Sequence, residues 1–183
     1  LGPEAAGPLR DILCQHGQKA QLQFGAIERL PLPHQLDLII SASTVQWIAD
    51  LPQTVERLSS HLAPGGWLAL SGFGTDQFLE LAALGSGAAA PSYLNAGDWP
   101  GILPAGLELI TLRQQAIQVQ FDSLLDLLRH LRHTGVNGQA TRGWSRRDMR
   151  QFESRYRERF GQEGSLPLTY DAVWILARKT TEV

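Results

Sequence analysis

The feature of this sequence that most restricts its fold is a pair of short apolar runs flanking a single helical segment. Leu36-Asp37-Leu38-Ile39-Ile40-Ser41 is almost continuously apolar, the pattern of a parallel strand covered on both faces, and Trp67-Leu68-Ala69-Leu70 is a second buried run. Between them Asp50 is placed to cap a helix with Pro52 in its first turn, and Val55, Leu58 and Leu62 fall on one face at i, i+3 and i+7. Pro64-Gly65-Gly66 supplies the turn that ends it. Strand, helix, turn, strand is a βαβ unit, right-handed by rule, and it commits the chain to an α/β sheet.

The flanking segments extend that sheet. Leu9, Ile12 and Leu13 have helical spacing before Gly17, so residues 8–16 read as a short helix, and Gln21-Leu22-Gln23-Phe24 alternates like a strand. Residues 72–106, rich in Gly, Ala and Pro, read as a helix around Phe78 to Leu81 followed by a partly irregular stretch anchored by Trp99. Leu107 to Phe121 alternates with many Gln, as expected of a strand near a sheet edge. Asp122 or Ser123 starts a helix carrying Leu124, Leu127, Leu128 and Leu131. Ser145-Arg146-Arg147-Asp148 is a capping box, and Met149, Phe152, Tyr156 and Phe160 form one stripe of the next helix. Leu166 to Ala177 is the closing strand segment. The expectation is a single domain over 1–183 whose sheet is mostly parallel with an antiparallel closing strand.

Composition removes several function classes. The 183 residues are 43% hydrophobic and 19% charged, enough for a sizeable core. No stretch reads as a membrane span or a secretory leader, which points to the cytoplasm. Cys14 is the only cysteine, so no internal disulfide forms, and no zinc spacing accompanies it. His130 and His133 lack a third ligand nearby and read as a solvated basic helix end, so no metal is expected. A net charge of −2 gives no reason to expect nucleic acid, although seven of the fourteen arginines lie between Arg142 and Arg159. Oligomeric state is not legible.

Several segments together resemble the class I, Rossmann-like methyltransferases that use S-adenosylmethionine, and within them the malonyl carrier-protein methyltransferases of biotin synthesis. They are Phe24-Gly25-Ala26-Ile27-Glu28-Arg29-Leu30-Pro31-Leu32-Pro33, Leu36 to Ser41, Val45-Gln46-Trp47, Leu62-Ala63-Pro64-Gly65-Gly66, His130 to Gly138 and Leu166-Pro167-Leu168-Thr169-Tyr170. Gln46-Trp47, the Thr134 to Gly138 turn and Leu168-Thr169-Tyr170 narrow the resemblance from superfamily to family. The family's glycine-rich cofactor loop and its ribose-holding acidic residue have no counterpart here, so the chain reads as the carboxy-terminal portion, without an amino-terminal βαβ unit and helical cap. Two departures lie inside the match. Ala26 stands where the family usually has an aspartate that meets the adenine amino group, and Ala42 replaces a common asparagine.

The resemblance implies cofactor contacts at Gly25, Ala26, Ile27, Ser41 and Ala42, and acceptor contacts at Gln46, Trp47, Tyr93, Asn137 and Tyr170. It places residues 72–106 and 122–165 on the substrate side. Acyl carrier proteins are acidic, and Arg146, Arg150 and Arg157 fall on one flank of their helix as a docking patch for a malonyl-loaded carrier. Each of these has a plainer alternative: Val45 and Trp47 as core, the tyrosines as packing residues, Thr134 to Gly138 as a helix-ending turn, the arginines as a solvated face. Methyl transfer to a carboxylate needs no general base, and no Ser/His/Asp or Cys/His constellation is present. A methyltransferase for a quinone or other small carboxylate, and a cofactor-free domain that only binds a partner, remain the alternatives.

Overall fold

The computed structural model describes residues 7, 11–12, 15–16, 21–86, 90–134 and 145–181, which fall into two compact units, Leu1–His34 and Gln35–Val183. In the first unit His16 N–H donates to the Ile12 carbonyl (3.2 Å), one turn of the expected helix. Gln21 to Phe24 belongs to no strand. Alternation alone supplied the expectation, and a strand also needs a partner edge to satisfy its N–H and C=O groups. The chain instead enters a turn in which Arg29 and Leu30 N–H both donate to the Ala26 carbonyl (3.0 and 3.1 Å).

The second unit is built on a four-stranded sheet in the order β1-β2-β4-β3, with β1 Leu36–Ser41, β2 Leu62–Phe73, β3 Leu107–Phe121 and β4 Leu166–Lys179. β1 and β2 pair in parallel, whereas β4 pairs antiparallel with both β2 and β3. The α/β class stands, but one of the three pairings is parallel where a mostly parallel sheet was expected. β3 is an edge, as its Gln-rich alternation indicated. The turn expected at Pro64-Gly65-Gly66 is absorbed into β2, whose register with β1 shifts between Leu36 and Leu38 while Gly65 takes a φ of 77°.

Helix α1, Leu51–His61, joins β1 to β2 as the βαβ pattern requires and packs on β2. Asp50 caps it by accepting from Gln53 N–H (3.0 Å), and Lys179 Nζ donates to the Ser59 and Leu62 carbonyls at its other end (2.9 and 2.8 Å). Leu68, Leu70, Val173, Ile175 and Ala177 are buried on one sheet face. Leu38 and Ile40, paired with Trp67 and Ala69, lie on the other and are 49% and 68% exposed, so β1 is not buried on both faces as its run of apolar residues suggested.

A second core lies beyond the sheet. Three helices, α2 Leu79–Ala83, α3 Leu124–His133 and α4 Arg146–Phe160, contribute Leu81, Leu124, Leu127, Leu131, Phe152 and Tyr156, which close with Phe78 over Leu166 and Leu168. The Ser145 and Asp148 capping box starts α4 as its sequence indicated. Tyr156, fully buried, donates its hydroxyl to the Pro167 carbonyl (2.6 Å), fastening α4 to β4.

Candidate functional site

In α/β sheets ligands bind beyond the carboxyl ends of the parallel strands, and here three chain segments converge at those ends of β1 and β2. The first, Ser41 to Ile48, leaves β1. Ser43 takes a left-handed φ of 51°, and its N–H donates to the Ser71 carbonyl and hydroxyl (3.0 and 3.1 Å). Gln46 folds back to give its Nε2 to the Ser43 carbonyl (2.7 Å), which pins that conformation. Val45 and Gln46 are buried, and the 3-10 turn through Val45–Trp47 leaves Trp47 exposed at 42%. Gln46 is therefore turned inward, with Oε1 unpaired, and Trp47 is the side chain this loop leaves exposed.

The second segment, Gly74 to Gln77, follows β2, and the third, Ser92 to Ala96, is sewn to both others. Ser92 N–H donates to the Gln46 carbonyl (3.1 Å), Leu94 N–H to the Phe73 carbonyl (3.0 Å) and Ala96 N–H to Gln114 Oε1 (2.8 Å). Tyr93 sits between two of these anchors. Burial pushes its hydroxyl above the usual tyrosine range, partly offset by a hydrogen bond with the Ala90 backbone, so it stays protonated as a donor.

Tyr170 is half-buried on β4, packed edge-on against Phe78, and shares a 2.6 Å hydrogen bond with His130 Nε2. Burial raises its hydroxyl pKa and the Thr134 hydroxyl pulls it back in part. His130, expected to be a solvated helix end, is instead packed against the rings of Phe121 and Tyr170, edge-on to the second. Thr169 reaches the other way, to Glu80: its N–H and hydroxyl donate to a carboxylate that is 1% exposed (3.0 and 2.5 Å). Asn137 lies outside the described residues.

Of the expected cofactor contacts, Gly25 and Ala26 are exposed on the Ala26 to Leu30 turn, and Ile27 is half-buried. Gly25 takes a φ of 150°, which favours glycine, and a Cβ there would approach Leu30 Cδ2 to 3.0 Å. The Ala26 carbonyl is already used twice within the turn, and its methyl side chain offers no acceptor. In the second unit Ser41 is half-buried and Ala42 exposed at the end of β1. Among the described residues no group of His, Cys, Asp or Glu is arranged to hold a metal ion, and no helix is long and apolar enough to cross a membrane.

The expected docking arginines separate in the structure. Arg146 and Arg150 are exposed on α4. Arg157 is occupied: Nη2 donates to Glu153 (2.7 Å) and to the Asp122 carbonyl (2.8 Å), and Nη1 to the Gly164 carbonyl (2.6 Å). Its guanidinium clamps three chain segments and is not a free docking charge. Asp171, Gln114 and Asn95, which tie the second and third segments together, were not singled out from the sequence. Apart from the local capping box of Asn95 with Asp98, the side chains' partners are 18 to 95 residues away along the chain, beyond the reach of a local pattern.

Residues 6–70 match the model of the methyltransferase domain family. The chain is 40% identical over 181 residues to the malonyl-[acyl-carrier protein] O-methyltransferase of Acinetobacter baylyi, covering 94% of this chain and 70% of that protein. It is 34% identical over 160 residues to the protein of the same name from Chlorobium luteolum, covering 86% of this chain and 60% of the relative. Among solved structures, a candidate methyltransferase from Bacillus halodurans superposes with a TM-score of 0.65 at 15% identity, over 99% of this chain and 81% of that one. At that identity the likeness is one of fold.

Proposed function

The chain belongs to the malonyl-[acyl-carrier protein] O-methyltransferase family, and from that membership we propose that it takes part in methylating the free carboxyl of malonyl-acyl carrier protein, as in biotin synthesis, with S-adenosylmethionine as methyl donor. The chain spans 60–70% of the length of the relatives described above, so the complete reaction is assigned to it as a proposal. The observation that carries the reading is the 40% identity to a named relative, supported by the backbone bonds of Ser92 to Gln46 and Leu94 to Phe73, which bring the Ser92 to Ala96 segment against the loop that leaves β1.

When bound, the cofactor supplies an electrophilic methyl carbon. Gly25, Ala26 and Ile27 would frame its adenine, and Ser41 and Ala42 would border its sugar. The acceptor carboxylate is ionised at neutral pH and attacks as it stands, so the protein moves no proton. Its contribution is orientation and exclusion of water. Tyr93, held protonated by burial, donates to the acceptor, and Tyr170, which shares a hydrogen bond with His130, is assigned a second acceptor contact. Residues 72–106 and 122–165 are assigned to the acceptor side, with Gln46 shaping the wall from behind, and Asn137 is assigned an acceptor contact. Arg146 and Arg150 dock the acidic carrier.

The test is transfer of label from methyl-labelled S-adenosylmethionine to malonyl-acyl carrier protein, with malonyl-coenzyme A and unloaded carrier as comparison acceptors. Base-labile label on the malonyl carrier alone is the expected result. Label on a small carboxylate or quinone in its place would shift the reading to a small-molecule methyltransferase. Absence of both transfer and cofactor binding would leave a partner-binding domain.

A further inference from the structure

Asp171 is a carboxylate in an expensive position. It is 4% exposed, and neither ion pair among the described residues involves it, so no cation offsets its desolvation. Only neutral donors hold it: Asp76 N–H on Oδ2 (3.1 Å) and the Gln114 amide on both oxygens (3.0 and 2.9 Å). Its backbone is engaged as well, the carbonyl accepting from Gly74 N–H (2.7 Å) and the N–H donating to Gln77 Oε1 (2.9 Å). One residue of β4 thus fixes the whole turn that leaves β2.

The same carboxylate reaches the third segment through one relay. The amide of Gln114 that donates to Asp171 also donates to Asn95 Oδ1 (3.0 Å), while its Oε1 takes Ala96 N–H (2.8 Å). Asn95 Oδ1 in turn receives Thr75 N–H (3.0 Å). Every donor and acceptor in this chain of bonds is oriented by the next, and the charge at its end sets the polarity: Gln114 must turn its NH2 toward Asp171, which leaves its oxygen for Ala96. The consequence falls on Tyr93, whose neighbours Ser92 and Leu94 are bonded to Gln46 and Phe73.

We propose that Asp171 is a positioning residue that, through Gln114 and Asn95, holds the Ser92 to Ala96 segment, and with it the Tyr93 hydroxyl, in place on the acceptor side of the site. This rests on the methyltransferase reading above and adds a residue to it. Asp171 touches neither substrate nor cofactor. Removing its charge frees Gln114 to flip, which loosens the segment and costs acceptor affinity while leaving the cofactor side alone.

Amide hydrogen exchange and steady-state kinetics on Asp171→Asn, Gln114→Glu and the double variant decide it. In Asp171→Asn the amides of Ser92, Leu94 and Ala96 should exchange faster, and the KM for malonyl-acyl carrier protein should rise about tenfold with kcat and cofactor affinity little changed. The double variant exchanges donor and acceptor across the pair, the new amide facing the new carboxylate with Ala96 N–H still accepted, but the carboxylate at position 114 cannot donate to Asn95 Oδ1, so protection should return at Ala96 and the lost KM should be recovered only in part. A mere stability effect would lower kcat and KM-independent measures together and would not be rescued. Wild-type exchange at the three amides in Asp171→Asn, or faster exchange with an unchanged KM, overturns the proposal. Wild-type protein that transfers no label to the malonyl carrier defeats the functional reading instead, and the exchange data still decide whether Asp171 holds the segment.

Discussion

Single atoms decide whether the site can form. Gly74 has no room for a methyl group: a Cβ there would overlap Asp171 Oδ2 and Gln114 Nε2 and come within 2.8 Å of Asn95 Oδ1. Gln114 Nε2 is hydrogen-bonded to both of the other two, so none moves without breaking a bond. Gly74→Ala should therefore cost about 1–3 kcal/mol, read as a lowered urea midpoint at an unchanged slope. Tyr156 makes a pH prediction. Burial first, and then the nearby Glu80 carboxylate, push its hydroxyl far above the usual range. A raised folded pKa means that the folded state keeps a proton which the unfolded state releases. The stabilisation is full below the unfolded tyrosine value of about 10 and declines as pH climbs beyond it toward the folded value. Urea midpoints measured between pH 8 and pH 11, roughly bracketing that value, should fall at the alkaline end. Tyr156→Phe should flatten that fall while lowering stability at neutral pH by about 1–3 kcal/mol, because the Pro167 carbonyl loses its buried donor. An equal alkaline fall in the variant would remove Tyr156 as its source.

Elements were legible in proportion to how local their causes are. The α1 helix and its two strands follow from periodicity and the Asp50 cap, and α4 from its Ser145 capping box, all contained within a few residues. Gln21 to Phe24 failed because strand formation is settled by a partner that the segment itself does not contain. The bulge at Gly65 was read as a turn because Pro-Gly-Gly signals a bend without saying whether pairing continues through it. The site divided in the same way. Ser41 to Trp47 was singled out as the exit of a recognisable strand, whereas the bonds among Asp171, Gln114 and Asn95 form only across the fold. Arg157 shows the limit from the other direction, since helical spacing put it on a flank with Arg146 and Arg150 but could not show that carbonyls of Asp122 and Gly164 claim it. Arg157→Ala should lower stability by about 1–2 kcal/mol, mostly from the two stranded carbonyls, the half-exposed pair with Glu153 adding little. Arg150→Ala should leave thermal unfolding unchanged and slow association with the carrier at low salt only. If Arg157→Ala is as stable as wild type and Arg150→Ala is not, the assignment of clamp and dock is reversed.

At the scale of the molecule, the order β1-β2-β4-β3 places the last strand of the chain inside the sheet. β4 pairs over Ala172 to Arg178 with β2 on one side and over its whole length with β3 on the other, so its backbone groups are satisfied only once both neighbours are in place. It also joins the two cores: Val173, Ile175 and Ala177 are buried in the sheet, and Leu166 and Leu168 lie under α3 and α4. Without β4, β3 would have no partner and β2 would keep only the short β1 as a neighbour, a two-stranded remnant that is marginal in water even with a helix across it. Folding should therefore be all-or-none and complete only when the carboxy-terminal segment is present. A chain ending at Gly164 should lack a cooperative urea transition and show fast amide exchange throughout β2. In the intact protein, the slowest amides should be those of β2 and β4 facing each other, such as Leu68, Leu70, Ile175 and Ala177. A truncated chain that still unfolds cooperatively would show instead that the βαβ unit and its helix stand alone, and that β4 adds the acceptor side to a frame already built.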